Sequence, residues 1–131
     1  MSFSGDMRRF IAKTTSAHNK ITRVATLELF GGIVKLTPVD TGRARGNWLT
    51  GVHRPVTGET ERLDKTGRSA IAEISEHTPA GAGQVTYLSN NLPYIEDLER
   101  GSSKQAPEGM VRKNMDRVQK MVDAAIRKNK V

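Results

Sequence analysis

One triplet in the sequence, Asp40-Thr41-Gly42, has the residue types of a known catalytic group. An Asp-Thr-Gly triplet supplies the carboxylate of aspartic proteases, in which two such carboxylates share a proton. That chemistry requires the aspartate on a rigid, buried loop between apolar strands. Here the flanking residues 37–39 and 43–46 are polar and basic, and no pair of large apolar residues followed by glycine occurs after the triplet to support the carboxylate. The triplet therefore predicts a turn, in which Asp40 bonds to downstream backbone and Gly42 takes a positive φ.

The other residue types that catalyse reactions or bind metals form no recognisable pattern. The three histidines, His18, His53 and His77, lie in different predicted elements, and no pair has the His-x-His or His-Glu-x-x-His spacing of a metal site. The absence of cysteine excludes a disulfide, a Cys-based zinc site and a thiol nucleophile. No Gly-x-Ser-x-Gly elbow or phosphate-binding glycine loop occurs. We therefore expect a protein that is not an enzyme and that uses no metal or cofactor.

Positive charge is the main compositional feature. The 131 residues include 21 Lys or Arg and 14 Asp or Glu, for a formal net charge of +7. Residues 1–23 and 111–131 are strongly basic, whereas residues 24–110 are slightly acidic. Basic ends of this kind are typical of solvated helix faces, or of a surface next to nucleic acid or an acidic partner. No apolar run approaches the roughly 20 residues of a membrane-spanning helix, so no membrane partner is expected.

The two basic ends also have helical periodicity. Apolar residues at steps of three and four predict a helix over about residues 5–35, which Pro38 must end. Gly31-Gly32 is expected to bend or end this helix, because glycine is unfavourable in a helix interior. Val24 is assigned to its apolar stripe. A second helix is predicted over about residues 109–128, with its apolar face formed by Val111, Met115, Val118, Val122 and Ala125.

The middle of the chain predicts short elements. Residues 37–46 read as a loop, strands are predicted within 46–90, and the polar stretch 56–67 reads as an exposed loop. Residues 68–77 fit either a strand or a helix. The fold class that follows is α+β, a single domain over residues 1–131 with a small antiparallel sheet packed against the long N-terminal and the C-terminal helix. Such a sheet has exposed edges, which invite pairing with another copy.

Two stretches resemble one protein family. Residues 37–48, Thr-Pro-Val-Asp-Thr-Gly-Arg-Ala-Arg-Gly-Asn-Trp, are similar to the Pro-Val-Asp-Thr-Gly-x-Leu/Ala-x-x-Ser/Asn-x signature of tail-completion or head–tail joining proteins of long-tailed bacteriophages, also described as minor tail or neck proteins. Residues 89–111 resemble that family's Tyr-Ala-x-x-Val/Ile-Glu-x-Gly segment and the Gln-Ala-Pro-x-Gly-Met-Val variant that opens its last helix. The order and spacing of the motifs also agree. Arg43-Ala44-Arg45 departs from the pattern, since a leucine is common there.

The resemblance implies a structural virion protein rather than an enzyme. Its members are expected to assemble as a ring, a hexamer, between the head connector or adaptor and the tail-tube or tail-terminator proteins. The expected location is therefore the head–tail junction of the virion, after synthesis in the bacterial host cytoplasm.

The resemblance also implies roles for single residues. The motif turn would be shaped by Pro38, Asp40, Thr41 and Gly42. Tyr94, Glu96 and Glu99 would present a face to a neighbouring subunit or partner. Gln105, Pro107 and Gly109 would fix the entry to the last helix and are further contact candidates. Each of these residues has an alternative role inside its own chain. From residue type alone, Trp48 is expected as a core anchor of the first strand and Met110 as a core residue, and a partner contact is the alternative for both.

Ring closure needs two different surface patches on each copy. We expect the acidic middle of one subunit to meet a basic terminal helix of the next. The remaining positive charge would face an acidic partner ring or DNA in the channel, through Arg112, Arg117, Lys120 and Arg127. The alternative function is a small basic DNA-associated module, whose affinity for DNA would fall steeply with salt.

Overall fold

The computed structural model of the chain describes residues 3–79 and 84–128, with side chains described over residues 20–79 and 84–128. Helices α1 and α5 are the two long elements, and between them lie two short strands and three shorter helices. In chain order the elements are α1 (Phe3–Leu36), α2 (Arg43–Gly46), β1 (Leu49–Val52), α3 (Arg68–His77), β2 (Thr86–Ser89), α4 (Ile95–Glu99) and α5 (Val111–Lys128). The predicted α+β class, with a small antiparallel sheet and long terminal helices, is confirmed. None of the described helices is both long and apolar enough to cross a membrane.

Helix α1 continues through Gly31-Gly32, so of the two outcomes expected for this pair, a bend or an end of the helix, the end does not occur. The reason for Gly32 lies in packing, because a Cβ at this position would overlap the side chains of Asn114 and Arg117 on α5. Close approach of the two helices therefore outweighs the weak helix propensity of glycine. The helix ends at Leu36, before the predicted stop at Pro38.

The end of α1 is held by a side chain from the predicted motif loop. The guanidinium of Arg45 donates to the backbone carbonyls of Lys35, Thr37 and Lys65 at 2.7, 2.8 and 2.8 Å. Carbonyls in the last turn of a helix lack intrahelical partners, and a basic side chain near that end satisfies them. The basic residue that departs from the family pattern therefore has a structural role in this chain.

The predicted loop 37–46 contains a short helix, α2, which sequence reasoning missed. Gly42 has the expected positive φ, +91°, and a Cβ there would overlap the backbone of Asp64 and Lys65. The turn differs in its hydrogen bond, since Thr41 Oγ1 rather than Asp40 accepts from the backbone N–H of Arg43, at 3.3 Å. The expected bond from Asp40 to downstream backbone is absent among the residues whose side chains are described.

Strand β1 pairs antiparallel with β2, in a register that places Leu49 opposite Ser89 and Val52 opposite Thr86. Residues 68–77, which fitted either a strand or a helix, form α3. Helix α3 packs against β1, and its Glu73 Oε1 accepts the backbone N–H of Thr50 at 2.9 Å.

The main core lies between α1, α3 and the segments that lead into β1 and α5. Its buried members are Phe30, Ile33, Val34, Trp48, Ala70, Ile74, Ala106 and Met110. A smaller cluster of Ala25, Val118 and Val122 joins α1 to α5. Val24 and Met115 were expected on core faces but are 45% and 56% exposed, and neither belongs to the cluster that joins α1 to α5.

Candidate interaction surface

The two stretches that resemble phage motifs meet in space. Val39 N–H donates to Gln105 Oε1 at 2.9 Å, and Gln105 Nε2 donates back to the carbonyl of Val39 at 3.1 Å, across 66 positions of sequence. Asn90 Nδ2 donates to the carbonyl of Ala44 at 2.9 Å. These three hydrogen bonds, which we call the motif clamp, hold the motif turn against the segment on either side of α4.

A groove of about 290 Å³ lies between the motif turn and α4. We call it the motif groove, and its lining includes Val39, Asp40, Thr41, Tyr94 and Leu98. Tyr94 is partly exposed here, and Asp40 and Thr41 are exposed. Pro38, the first residue of the predicted turn, lines the groove but is itself buried. The groove thus combines apolar walls with polar groups that can reach a partner.

Glu99, predicted as a contact residue, caps α5 of its own chain. Its carboxylate accepts the backbone N–H groups of Met110 and Val111 at 2.8 Å each, and that of Arg112 at 3.0 Å. Arg112 Nε also donates to it at 3.1 Å. Partial burial opposes ionisation of Glu99, but the three N–H groups and the guanidinium outweigh burial and lower its pKa. The carboxylate therefore stays charged at the positive end of the α5 dipole.

Residues 105–110 form the connection into α5. Gly109 has a φ of +83°, which an L side chain rarely adopts, so glycine is needed for this bend. Pro107 and Gln105 are exposed, although Gln105 is held in the motif clamp. Met110 is fully buried, which agrees with the expected core role and not with the alternative, a partner contact.

Trp48 also lies in the core, at 6% exposure, so its expected role as a core anchor is confirmed over the alternative, a partner contact. Its Nε1 donates to Thr37 Oγ1 at 2.8 Å, which satisfies the indole N–H inside the core. Among the contact candidates, Tyr94, Glu96 and Pro107 keep exposed surface that is not committed to capping, to the core or to the motif clamp. Glu96 only forms a loose ion pair with Arg100, at 3.5 Å.

The four predicted channel-facing residues on α5 do not form one free basic face. Arg112 pairs with Glu99 at 3.1 Å, and Arg117 pairs with Glu28 on α1 at 3.3 Å. Lys120 and Arg127 are exposed and form no ion pair among the side chains that the structure describes. The uncompensated charge of α5 therefore lies toward its C-terminal half.

Sequence reasoning missed a polar network in the stretch 56–67. Arg62 donates to the carbonyls of Gly46 and Trp48 at 2.9 and 3.1 Å, and pairs with Glu73 at 2.9 Å. Asp64 is buried, and its Oδ2 accepts the backbone N–H of Ala70 in the first turn of α3 at 2.9 Å. An acid shortly before a helix is a known capping signal, and it was available in the sequence ahead of Gly67.

The described residues hold no group of three His, Asp or Glu side chains that could bind a metal ion. His53 and His77 lie in separate segments, and the side chain of His18 lies outside the described residues. What the arrangement offers chemically is a set of surfaces for binding: the motif groove, the exposed end of α5 and an apolar groove between α1 and α5.

No protein-family model matches the chain, and neither a curated protein nor a solved structure is significantly similar to it.

Proposed function

We propose that this chain is a structural protein of a phage virion, a tail-completion or neck component that forms a ring between the head connector and the tail tube. The motif clamp carries the proposal. The two stretches that resemble the family, 37–48 and 89–111, are distant in sequence, yet Val39 bonds with Gln105 and Asn90 with Ala44. Residues that a family shares because they maintain the shape of a turn are expected to form hydrogen bonds with one another in this way.

The exposed position of Asp40 supports a structural role for this residue rather than a catalytic one. A catalytic carboxylate of the aspartic protease type requires a rigid, enclosed site. Asp40 is exposed on a turn whose hydrogen bond is made by its neighbour Thr41. The proposal therefore assigns the Asp-Thr-Gly triplet to the shape of the motif turn.

Loss of the protein in a phage that carries this gene tests the proposal. A nonsense mutation is expected to accumulate DNA-filled heads and finished tails that remain unjoined, which electron microscopy would reveal. Supplying the wild-type chain from a plasmid should restore joined, infectious particles. A normal yield of joined particles from the mutant, with the protein shown to be absent, would refute the proposal.

A small basic DNA-associated module is the second candidate, and the unpaired Lys120 and Arg127 favour it. A DNA module must bind duplex as a free chain, with a logarithm of affinity that falls linearly with the logarithm of salt concentration. Fluorescence anisotropy with a labelled duplex measures this slope. Strong binding that K120E/R127E abolishes would favour the module, whereas weak binding that this variant leaves unchanged would favour the virion role.

A further inference from the structure

Three exposed bases lie together where α1 ends and α3 begins. The guanidinium of Arg45 donates to the backbone carbonyl of Lys35 at 2.7 Å and to that of Lys65 at 2.8 Å, so these two residues flank one side chain. Gly67, directly before Arg68, lies beside the same side chain, because a Cβ at this glycine would be 3.9 Å from Arg45 Cδ. We call Lys35, Lys65 and Arg68 the basic cluster.

The charge of the basic cluster is not compensated at the surface. All three side chains are exposed, and none forms an ion pair among the side chains that the structure describes. The acid next to the cluster in sequence, Asp64, is buried, and its Oδ2 accepts the backbone N–H of Ala70. The charge of Asp64 also interacts with that of the partly buried Arg45. Three segments of the chain therefore bring three free positive charges to one surface.

The types of the surrounding residues point to phosphate as the partner group. The exposed residues of the segment 65–69 are Lys65, Thr66, Arg68 and Ser69, all of them basic or hydroxylic. Lysine and arginine, together with serine and threonine hydroxyls, are the side chains that most often hold the phosphates of DNA. Lysine and serine are by contrast depleted in interfaces between proteins. The composition of this surface therefore favours a nucleic-acid backbone over an acidic protein.

The contact would be made by side chains rather than by the start of α3. The backbone N–H of Arg68 donates to Thr66 Oγ1 at 3.3 Å, and that of Ala70 donates to Asp64, so both groups are already bonded inside the chain. Because Thr66 Oγ1 acts as an acceptor in this bond, its O–H group is left to donate to a phosphate.

We propose that the basic cluster contacts the phosphate backbone of duplex DNA through charge, without reading the base sequence. The inference rests on the proposed function, because a ring at the head–tail junction would encircle DNA that passes between head and tail. The cluster lies apart from the free bases of α5. Lys35 lines a cavity together with Lys113 near the start of α5, whereas Lys120 and Arg127 follow about two and four turns later on that helix.

Fluorescence anisotropy of the full chain with a labelled duplex tests the proposal. Lys65→Gln/Arg68→Gln should weaken binding at low salt by about tenfold. It should also reduce by about two the slope of the logarithm of affinity against the logarithm of salt concentration, because each lost phosphate contact removes about one from that slope. Lys120→Gln/Arg127→Gln is the matched control, since it also removes one lysine and one arginine, and it should leave the slope unchanged.

Two further variants and probes separate charge from shape and DNA from protein. Lys65→Arg/Arg68→Lys keeps both charges and should bind the duplex like the wild type, and loss of binding would contradict a contact made through charge alone. Labelled polyglutamate offers carboxylates in place of phosphates and should bind more weakly than the duplex at the same salt concentration. Equal or tighter binding of polyglutamate would overturn DNA as the partner in favour of an acidic protein.

A salt slope that Lys65→Gln/Arg68→Gln leaves unchanged would overturn the contact and leave the virion role standing. A wild-type chain that does not bind the duplex at low salt would overturn it as well. Failure of the virion role is seen in a separate experiment, as normal particles from the nonsense mutant.

Discussion

The carboxylate of Glu99 accepts three successive backbone N–H groups at the start of α5. Those N–H groups have no acceptors within the helix, so the Glu99 carboxylate accepts their hydrogen bonds, as the side chain of a capping residue would. Glu99→Gln keeps the shape and removes the charge. We expect it to lower the free energy of unfolding by about 1 kcal/mol, measured by urea denaturation at neutral pH. Glu96→Gln is the matched control, because Glu96 is an exposed residue of α4, the helix that also carries Glu99. This variant should leave the free energy of unfolding unchanged.

The same residue predicts a pH dependence. The pKa of Glu99 is lowered in the folded chain, so its contribution to stability is complete above the unfolded pKa. That contribution is lost as the pH falls through the folded pKa. The difference in unfolding free energy between the wild type and Glu99→Gln should therefore shrink as the pH is lowered from neutral into the acidic range. A difference that stays constant down to strongly acidic pH would contradict the capping role of the charge.

At the scale of elements, the adjacent glycines of α1 have opposite roles. A Cβ on Gly31 meets no atom within 4 Å, whereas a Cβ on Gly32 overlaps Asn114. Asn114 is buried and bonded to the carbonyl of Met110 at 2.8 Å, so it cannot move aside freely. Gly31→Ala should raise the unfolding free energy by about 0.5–1 kcal/mol through helix propensity. Gly32→Ala should lower it by about 1–3 kcal/mol through overpacking. Thermal denaturation of both variants tests the pair, and equal effects would refute the assignment.

The elements also show what periodicity can predict. Apolar residues spaced at steps of three and four identified both long helices, because a helix that packs on one side needs an apolar stripe on that side. Helix α3 stayed ambiguous, since Ala70, Ala72 and Ile74 alternate as in a strand while tertiary contacts decide the outcome. Periodicity assigned Met115 to the core, but the side chain is 56% exposed, because the spacing of apolar residues does not fix which of them the neighbouring helix covers. The short α2 carries too few residues for any period.

Site residues were harder to predict than elements, because their roles depend on partners distant in sequence. Nothing near Arg62 indicates that its guanidinium reaches Gly46, Trp48 and Glu73. Glu99 and Gln105 were identified as important through the family resemblance. The bonds that they form inside the chain are revealed only by the tertiary structure, and their contacts with a partner stay predictions.

At the scale of the whole molecule, the motif clamp ties the end of α1 to the start of α5. The two bonds between Val39 and Gln105 are exposed, so they add little to global stability but restrict local opening. Gln105→Ala should speed hydrogen exchange of the Val39 N–H with little change in unfolding free energy. Lys104→Ala, next to it and exposed, is the control. Unchanged exchange at Val39 would contradict the clamp.

The burial of Trp48 gives the protein an internal optical probe. It is the single tryptophan of the chain, and its indole is enclosed in the core with its N–H bonded to Thr37 at the end of α1. Tryptophan emission should therefore shift to longer wavelength when the core opens to water. Because the indole is already buried within its own chain, a contact between copies at the surface should leave the emission unchanged. Fluorescence can thus separate unfolding from assembly in the unlabelled protein.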